Sequence, residues 1–212
     1  MLRTFSALVL AAALMTPAFA REKLPKEFQN LKDGIAAYEA KDYATAVEKL
    51  TVAIGTNKLK DDNLRTAYLV RGVSYSALNQ CQNAVPDFDK VLELKDGEAQ
   101  VYAQRGDCKV KLQQIQPGLA DLKKSTELAP TDKTYAEFYC AAANNSKVYA
   151  EAGPACEAAV KNFPPADPQL IKASAQAYEL SGNKAKAHEM WKMLAAADPA
   201  DKDAKDGVAR TK

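Results

Sequence analysis

The sequence predicts an all-α fold, a solenoid of about five antiparallel helix hairpins, and three observations carry that prediction. The segment Tyr68-Leu69-Val70-Arg71-Gly72 returns as Tyr102-Ala103-Gln104-Arg105-Gly106, 34 residues later, so the chain is built from repeats. Within each copy apolar residues recur three or four apart, as in Ala187, Met190, Trp191 and Leu194, which is the period of one helix face. A small residue also returns once per copy, at Gly34, Gly72, Gly106, Cys140 and Ala175, with spacings of 38, 34, 34 and 35. Glycine inside a helix costs about 1 kcal/mol relative to alanine. Its return at one place per copy therefore implies that a second helix axis comes close there.

Taken from the N-terminus, residues 1–20 stand apart. Arg3 is their only charge, an apolar run follows from Phe5 to Met15, and Thr16-Pro17-Ala18-Phe19-Ala20 closes the segment. This is the pattern of a secretory signal peptide, with cleavage expected after Ala20 and a periplasmic or secreted destination. The apolar run is too short to span about 30 Å of hydrocarbon. Position 21 is Arg, which argues against a lipoprotein anchor, and no later segment is apolar enough to cross a bilayer.

The repeats follow over residues 21–201. Gly34, Tyr38, Asp42-Tyr43, Ala46, Leu50 and Ala53 make the first, about 27–60, and four extra residues are assigned to a polar turn over Gly55–Asp62. The second (65–98) and third (99–132) carry the Tyr-x-x-Arg-Gly core, and Ala84, Phe88 and Leu92 in one meet Gly118, Leu122 and Thr126 in the other. Cys140, Ala143, Tyr149, Ala152, Cys156, Ala159 and Pro164 make the fourth (133–167). Ile171, Ala175, Tyr178, Gly182-Asn183, Ala187, Trp191 and Pro199 make the fifth (168–201). Lys41-Asp42 and Gly182-Asn183 read as hairpin turns, and Pro130, Pro164 and Pro199 as stops for second helices. Residues 202–212 read as a polar tail that either caps the last hairpin or frays.

On these residues the chain resembles the tetratricopeptide repeat, over roughly 27–201. That family's unit is a 34-residue helical hairpin with small residues at fixed positions. The resemblance implies a right-handed α-solenoid whose first helices form a concave surface that binds a protein or peptide. Groove-facing positions are then Leu31, Ile35 and Tyr38; Leu69, Val73 and Ser76; Ala103, Asp107 and Val110; Glu137, Ala141 and Asn144; and Lys172, Gln176 and Glu179. They form a strip that is apolar at its N-terminal end and polar at its C-terminal end. Two occupants stay open for the apolar end: a partner's peptide, or the chain's own segment Leu24–Phe28 folded back. Cytosolic chaperone adaptors of this family hold a terminal carboxylate with Lys, Asn and Arg. The matching positions here are Leu31, Ile35, Val70, Gln100 and Gln104, so that clamp is missing.

The hairpin frame also pairs the cysteines. Cys140 and Cys156 sit about equally far from the fourth turn on facing helices, so a disulfide between them is expected. Cys81 and Cys108 pair by elimination, although their levels differ by more than a helical turn in this frame. The alternative is that all four are small buried residues with free thiols. Spacings of 27, 32 and 16 contain no Cys-x-x-Cys, which argues against a zinc site, and an even count in an exported chain favours disulfides.

Other classes of function are disfavoured. His188 is the only histidine, its helical neighbours Lys184 and Lys192 suggest a solvated face, and no nucleophile–base pair can be built around it. There is no phosphate-binding glycine pattern, and Asp61-Asp62 and Asp87/Asp89 read as polar turns and helix faces. With residues 1–20 set aside, 28 Lys+Arg face 27 Asp+Glu, a balance unsuited to nucleic acid or an anionic membrane. The expectation is a non-enzymatic scaffold or adaptor without cofactor or metal, binding a protein partner in a cell-envelope process. The other reading is an accessory or ligand-binding subunit of an envelope enzyme, such as one acting on peptidoglycan.

Overall fold

The structure is a computed structural model that describes residues 24–212, and every regular element among them is an α-helix. The expected signal segment, residues 1–20, lies outside the described residues. Five hairpins follow one another: α1 (Lys26–Glu39) with α2 (Tyr43–Gly55), α3 (Asp61–Ala77) with α4 (Cys81–Leu94), α5 (Ala99–Lys111) with α6 (Ile115–Leu128), α7 (Lys133–Asn145) with α8 (Tyr149–Asn162), and α9 (Pro168–Leu180) with α10 (Lys184–Ala197). A last helix, α11 (Lys202–Arg210), lies against α10.

Each helix packs on its neighbours in sequence. The first helices α1, α3, α5, α7 and α9 also touch one another in succession, with no comparable contact between second helices. Elements that meet across successive repeats lie on the inner radius of a curved stack. The first helices therefore line the concave side.

One backbone device turns every hairpin. Lys41, Asn79, Gln113, Lys147 and Gly182 each adopt a left-handed conformation, with φ of 63°, 58°, 63°, 60° and 84°. The amide that follows each of them donates to a carbonyl five residues earlier, as in Asp42 N–H to Ala37 O at 2.8 Å and Gln114 N–H to Lys109 O at 2.9 Å. This is the Schellman closure of a helix end. Only one of the five left-handed residues is glycine, so four turns carry no glycine signal in the sequence.

The second helices begin on side-chain caps where the sequence offers them. Asp42 accepts from the Thr45 amide (3.1 Å) and Asn183 from the Lys186 amide (3.2 Å). They end just before Pro130, Pro164 and Pro199. The four extra residues are not held in a longer loop, as the sequence suggested. They extend α3 to 17 residues, where α5, α7 and α9 have 13, so the insertion becomes one additional N-terminal turn.

The small residues mark close helix approaches. A Cβ on Gly34 would stand 2.6 Å from Leu50 Cγ, one on Gly72 3.0 Å from the Phe88 ring, and one on Gly106 2.9 Å from Leu122 Cγ. Each partner lies 16 residues on. The same step links Cys140 to Cys156 and Ala175 to Trp191, all buried. The fourth hairpin thus places a cysteine pair where its neighbours set glycine or alanine beneath a large apolar side chain.

The tail is a cap. Gly207 of α11 lies so close to Trp191 that a Cβ there would fall 2.3 Å from the ring, and Ala204 is fully buried. Arg210 donates to Glu179 (Nε–Oε1 3.0 Å) and stands 6.0 Å over the Trp191 ring. The apolar end of the stack is covered by a helix whose outer face is charged.

Candidate partner-binding surface

The concave positions named from the sequence differ in what the structure leaves available. Leu31 is only 6% exposed and packs with Ala46 and Leu50 inside the first hairpin, so it is core and cannot serve as a groove contact. Ile35 and Tyr38 are half-buried against the same cluster, and Leu69 and Val73 against the cluster around Phe88 and Val91. Ala103 is likewise buried. The segment Leu24–Phe28 is not a separate strap: Phe28 belongs to α1 and packs on the first hairpin's core, while Leu24 is exposed. The N-terminal end of the strip is apolar because it feeds the core between repeats.

Polar positions farther along are partly engaged. Asp107 pairs with Lys111 one turn on (2.7 Å), and Ser76 Oγ lies 3.6 Å from Cys108 Sγ. Val110 faces Gly118 of α6, inside its own hairpin. Lys172 and Glu179 are used by the cap, Lys172 through Asp203 (2.5 Å) and Glu179 through Arg210 and the Trp191 indole N–H (3.0 Å).

Between α7 and α9 the concave side opens into a cleft of about 480 Å³. Glu137, Ala141, Asn144 and Gln176, all named from the sequence, line it together with Cys140, Asn145, Tyr149, Gln169, Leu170, Ala173 and Leu180. Ala141 and Gln176 are exposed, and Leu180 is 62% exposed, the most open large apolar side chain among the described residues. Asn144 is held in place: its amide points at Cys156 Sγ, 3.2 Å away. Glu137 pairs with Lys133 on its own helix (2.7 Å).

The cysteines form two pairs. Cys140 meets Cys156 across the fourth hairpin, with Cα atoms 4.7 Å apart, and Cys81 meets Cys108 between the second and third hairpins, at 4.9 Å. The level difference expected for the second pair is absent. Cys81 opens α4 and Cys108 sits near the end of the antiparallel neighbour α5, which makes them level.

One further expectation is corrected, and two carboxylates read as helix-face residues find partners. His188 is half-buried, with Nδ1 3.1 Å from the Thr211 hydroxyl beyond α11, so its face meets the cap and not open solvent. Asp87 is buried and takes both arms of Arg71, at 2.8 and 2.7 Å. Asp89 accepts from Arg105 at 2.7 Å. No partner is assigned from the sequence to the arginine that the second and third repeats share. The signal was present: Arg71–Asp87 and Arg105–Asp121 are both 16 apart.

A buried carboxylate joins the last two hairpins. Glu157 of α8 receives hydrogen bonds from Tyr178 and from Lys161 and Lys186 (2.5 and 2.9 Å). Burial works against its charge, yet these donors hold its carboxyl at about 2. Burial, and then the hydrogen bond to Glu157, raise the Tyr178 phenol. The wall behind the α7–α9 cleft is therefore tied to the end of the solenoid by charge-assisted bonds.

Comparison with known proteins agrees with this architecture. No family model matches the chain. Mouse DnaJ homolog subfamily C member 7 is 28% identical over 106 residues, which is 49% of this chain but only 20% of that protein's length. Among solved structures, MamA superposes with a TM-score of 0.66 at 15% identity, covering 81% of this chain and 91% of its own. YrrB, described as a TPR protein with an unusual peptide-binding site, gives 0.65 at 20% identity over 84% and 89%. A tetratricopeptide repeat protein from Parabacteroides merdae gives 0.64 at 13% identity over 88% and 72%. The fold is that of a tetratricopeptide-type solenoid of helix hairpins.

Proposed function

We propose that this chain is an exported interaction scaffold that holds a segment of a protein partner on its concave surface during a cell-envelope process. The observation that carries the reading is the open α7–α9 cleft, where exposed Ala141, Gln176 and Leu180 stand beside polar Asn144 and Glu137. A cleft with an apolar anchor and a few oriented polar groups suits a peptide segment. Likeness to YrrB, whose description names a peptide-binding site, supports the same reading. The signal-like residues 1–20 and the paired cysteines support export.

Site-specific photo-crosslinking in the producing cell tests it. A photoreactive side chain at Ala141 or Gln176 is expected to yield one adduct of defined mass with a second polypeptide, and the same group at Val52 on α2 to yield none. No adduct from either concave position, or the same adduct from Val52, overturns the proposal.

A further inference from the structure

At two junctions between repeats a guanidinium fills the space between neighbouring second helices. Arg71, from α3, donates to Asp87 on α4 and reaches Thr51 on α2 (3.2 Å). Arg105, from α5, grips Asp121 on α6 with both arms (2.8 and 2.7 Å) and reaches Asp89 on α4 (2.7 Å). An aromatic ring flanks each: Tyr68 lies 5.6 Å from the Arg71 guanidinium carbon and Tyr102 lies 5.3 Å from that of Arg105.

One repeat farther on, the filling is gone. The residues 34 positions after Tyr102, Arg105 and Asp121 are Ala136, Tyr139 and Ala155. All three line an open cleft of about 400 Å³ between α6 and α8. Two alanines in place of a tyrosine and an aspartate account for the missing volume. The charge that the cleft would meet is nevertheless still negative. Glu151 stands one turn before Ala155 and accepts from the Tyr139 hydroxyl (3.0 Å), and Glu127 lines the opposite wall on α6. Asp132 is a third carboxylate on the lining and Lys123 the single cation.

We propose that the α6–α8 cleft receives an arginine side chain of a partner polypeptide, the group that Arg71 and Arg105 supply from within the chain at the two preceding junctions. The fit is chemical as well as spatial. A guanidinium is planar, stacks on a tyrosine face and offers forked donors to carboxylates on two sides, whereas an ammonium has neither the plane nor the fork. This site lies between the second helices α6 and α8, with Ala136 and Tyr139 of α7 between them, and shares no lining residue with the concave cleft. It stands or falls independently of the function proposed above.

The test is a titration of the 15N-labelled protein with acetyl-Gly-Arg-Gly-amide, followed by amide shifts. Saturable changes are expected in α6 and α8 around Glu127, Tyr139 and Glu151, with the citrulline tripeptide at least tenfold weaker and the lysine tripeptide weaker than arginine. Combining Tyr139→Arg with Ala155→Asp rebuilds the internal pair of the preceding hairpin and is expected to abolish the response. Should that variant fold poorly, Glu151→Gln is expected to weaken binding about tenfold on an unchanged fold. Equal binding of the citrulline peptide, an undiminished response in both variants, shifts spread over acidic residues outside the cleft, or tighter binding of free L-arginine than of the blocked tripeptide each overturns the proposal.

Discussion

The third and fourth hairpins share a frame and differ in almost everything that fills it. Each has a 13-residue first helix and a 14-residue second helix, joined through a left-handed residue, Gln113 or Lys147. In the third, Gly106 lies under Leu122 and Arg105 grips Asp121. In the fourth, Cys140 is bonded to Cys156, Tyr139 rests on Glu151, and Ala155 leaves a cleft. The step of 16 residues between facing positions is therefore a property of the helix–turn–helix backbone, and the chemistry placed on it is free to vary. A buried leucine contributes about 1.5–3 kcal/mol. A disulfide closing a loop of this length contributes about 3 kcal/mol, chiefly by restricting the unfolded chain. The two solutions are close in size, which is why one can stand in for the other.

The largest expected effect breaks the comparison on the third hairpin's side. Asp121→Ala removes the bidentate acceptor of Arg105 and the partner of Lys109 (2.8 Å). Leaving these cations without it is expected to cost about 3–5 kcal/mol in urea unfolding. Alanine at the matching position 155 carries no such cost, because the first-helix residue that faces it in place of Arg105 is the uncharged Tyr139. A loss under 1 kcal/mol would show that the ion pair is ornamental.

Next comes acid sensitivity, which belongs to the fourth hairpin's side. The folded pKa of Glu157, about 2, lies below its unfolded value. Its stabilisation is thus present above roughly pH 4.3 and fades as the pH falls toward 2, by about 3 kcal/mol in all. Glu157→Gln is expected to lower stability at pH 7 and to flatten the decline between pH 4.5 and 2. An unchanged pH profile would remove Glu157 as its cause.

Replacing the covalent contact sharpens the comparison directly. Cys140→Ser with Cys156→Ser is expected to cost about 3 kcal/mol and to raise amide exchange across α7 and α8. Cys140→Gly with Cys156→Leu copies the third hairpin and is expected to recover at least half of that loss. Equal destabilisation by both double variants would mean that the positions are not equivalent. The smallest effect lies outside both hairpins: Gly207→Ala pushes a methyl into the Trp191 ring and is expected to cost about 2 kcal/mol, read as faster exchange in α11.

Much of the fold is legible in the sequence because each repeat must solve the same packing problem. The small residues at Gly34, Gly72, Gly106, Cys140 and Ala175 give the register, and the prolines give the ends of second helices. The turn at Gln113 is hidden, since a Schellman closure depends on backbone geometry that glutamine can adopt at a cost but does not advertise. The concave surface is legible only in outline. Counting along α1 assigns Leu31 to the groove, yet the curvature between α1 and its neighbours turns that side chain into the core. Glu179 and Lys172 look free in sequence and are claimed by a helix more than twenty residues away.

By itself the sequence determined the all-helical class, the number of hairpins and the positions where helices approach closely. Those features rest on local periodicity and on side-chain volume, both of which are written residue by residue. Only the tertiary structure decided which positions stay open. It closed the N-terminal end of the strip, made the four extra residues a helical turn, levelled Cys81 with Cys108, and left clefts beside α7. Accessibility depends on how repeats are inclined to one another, and that inclination is summed over many contacts between residues far apart in the chain.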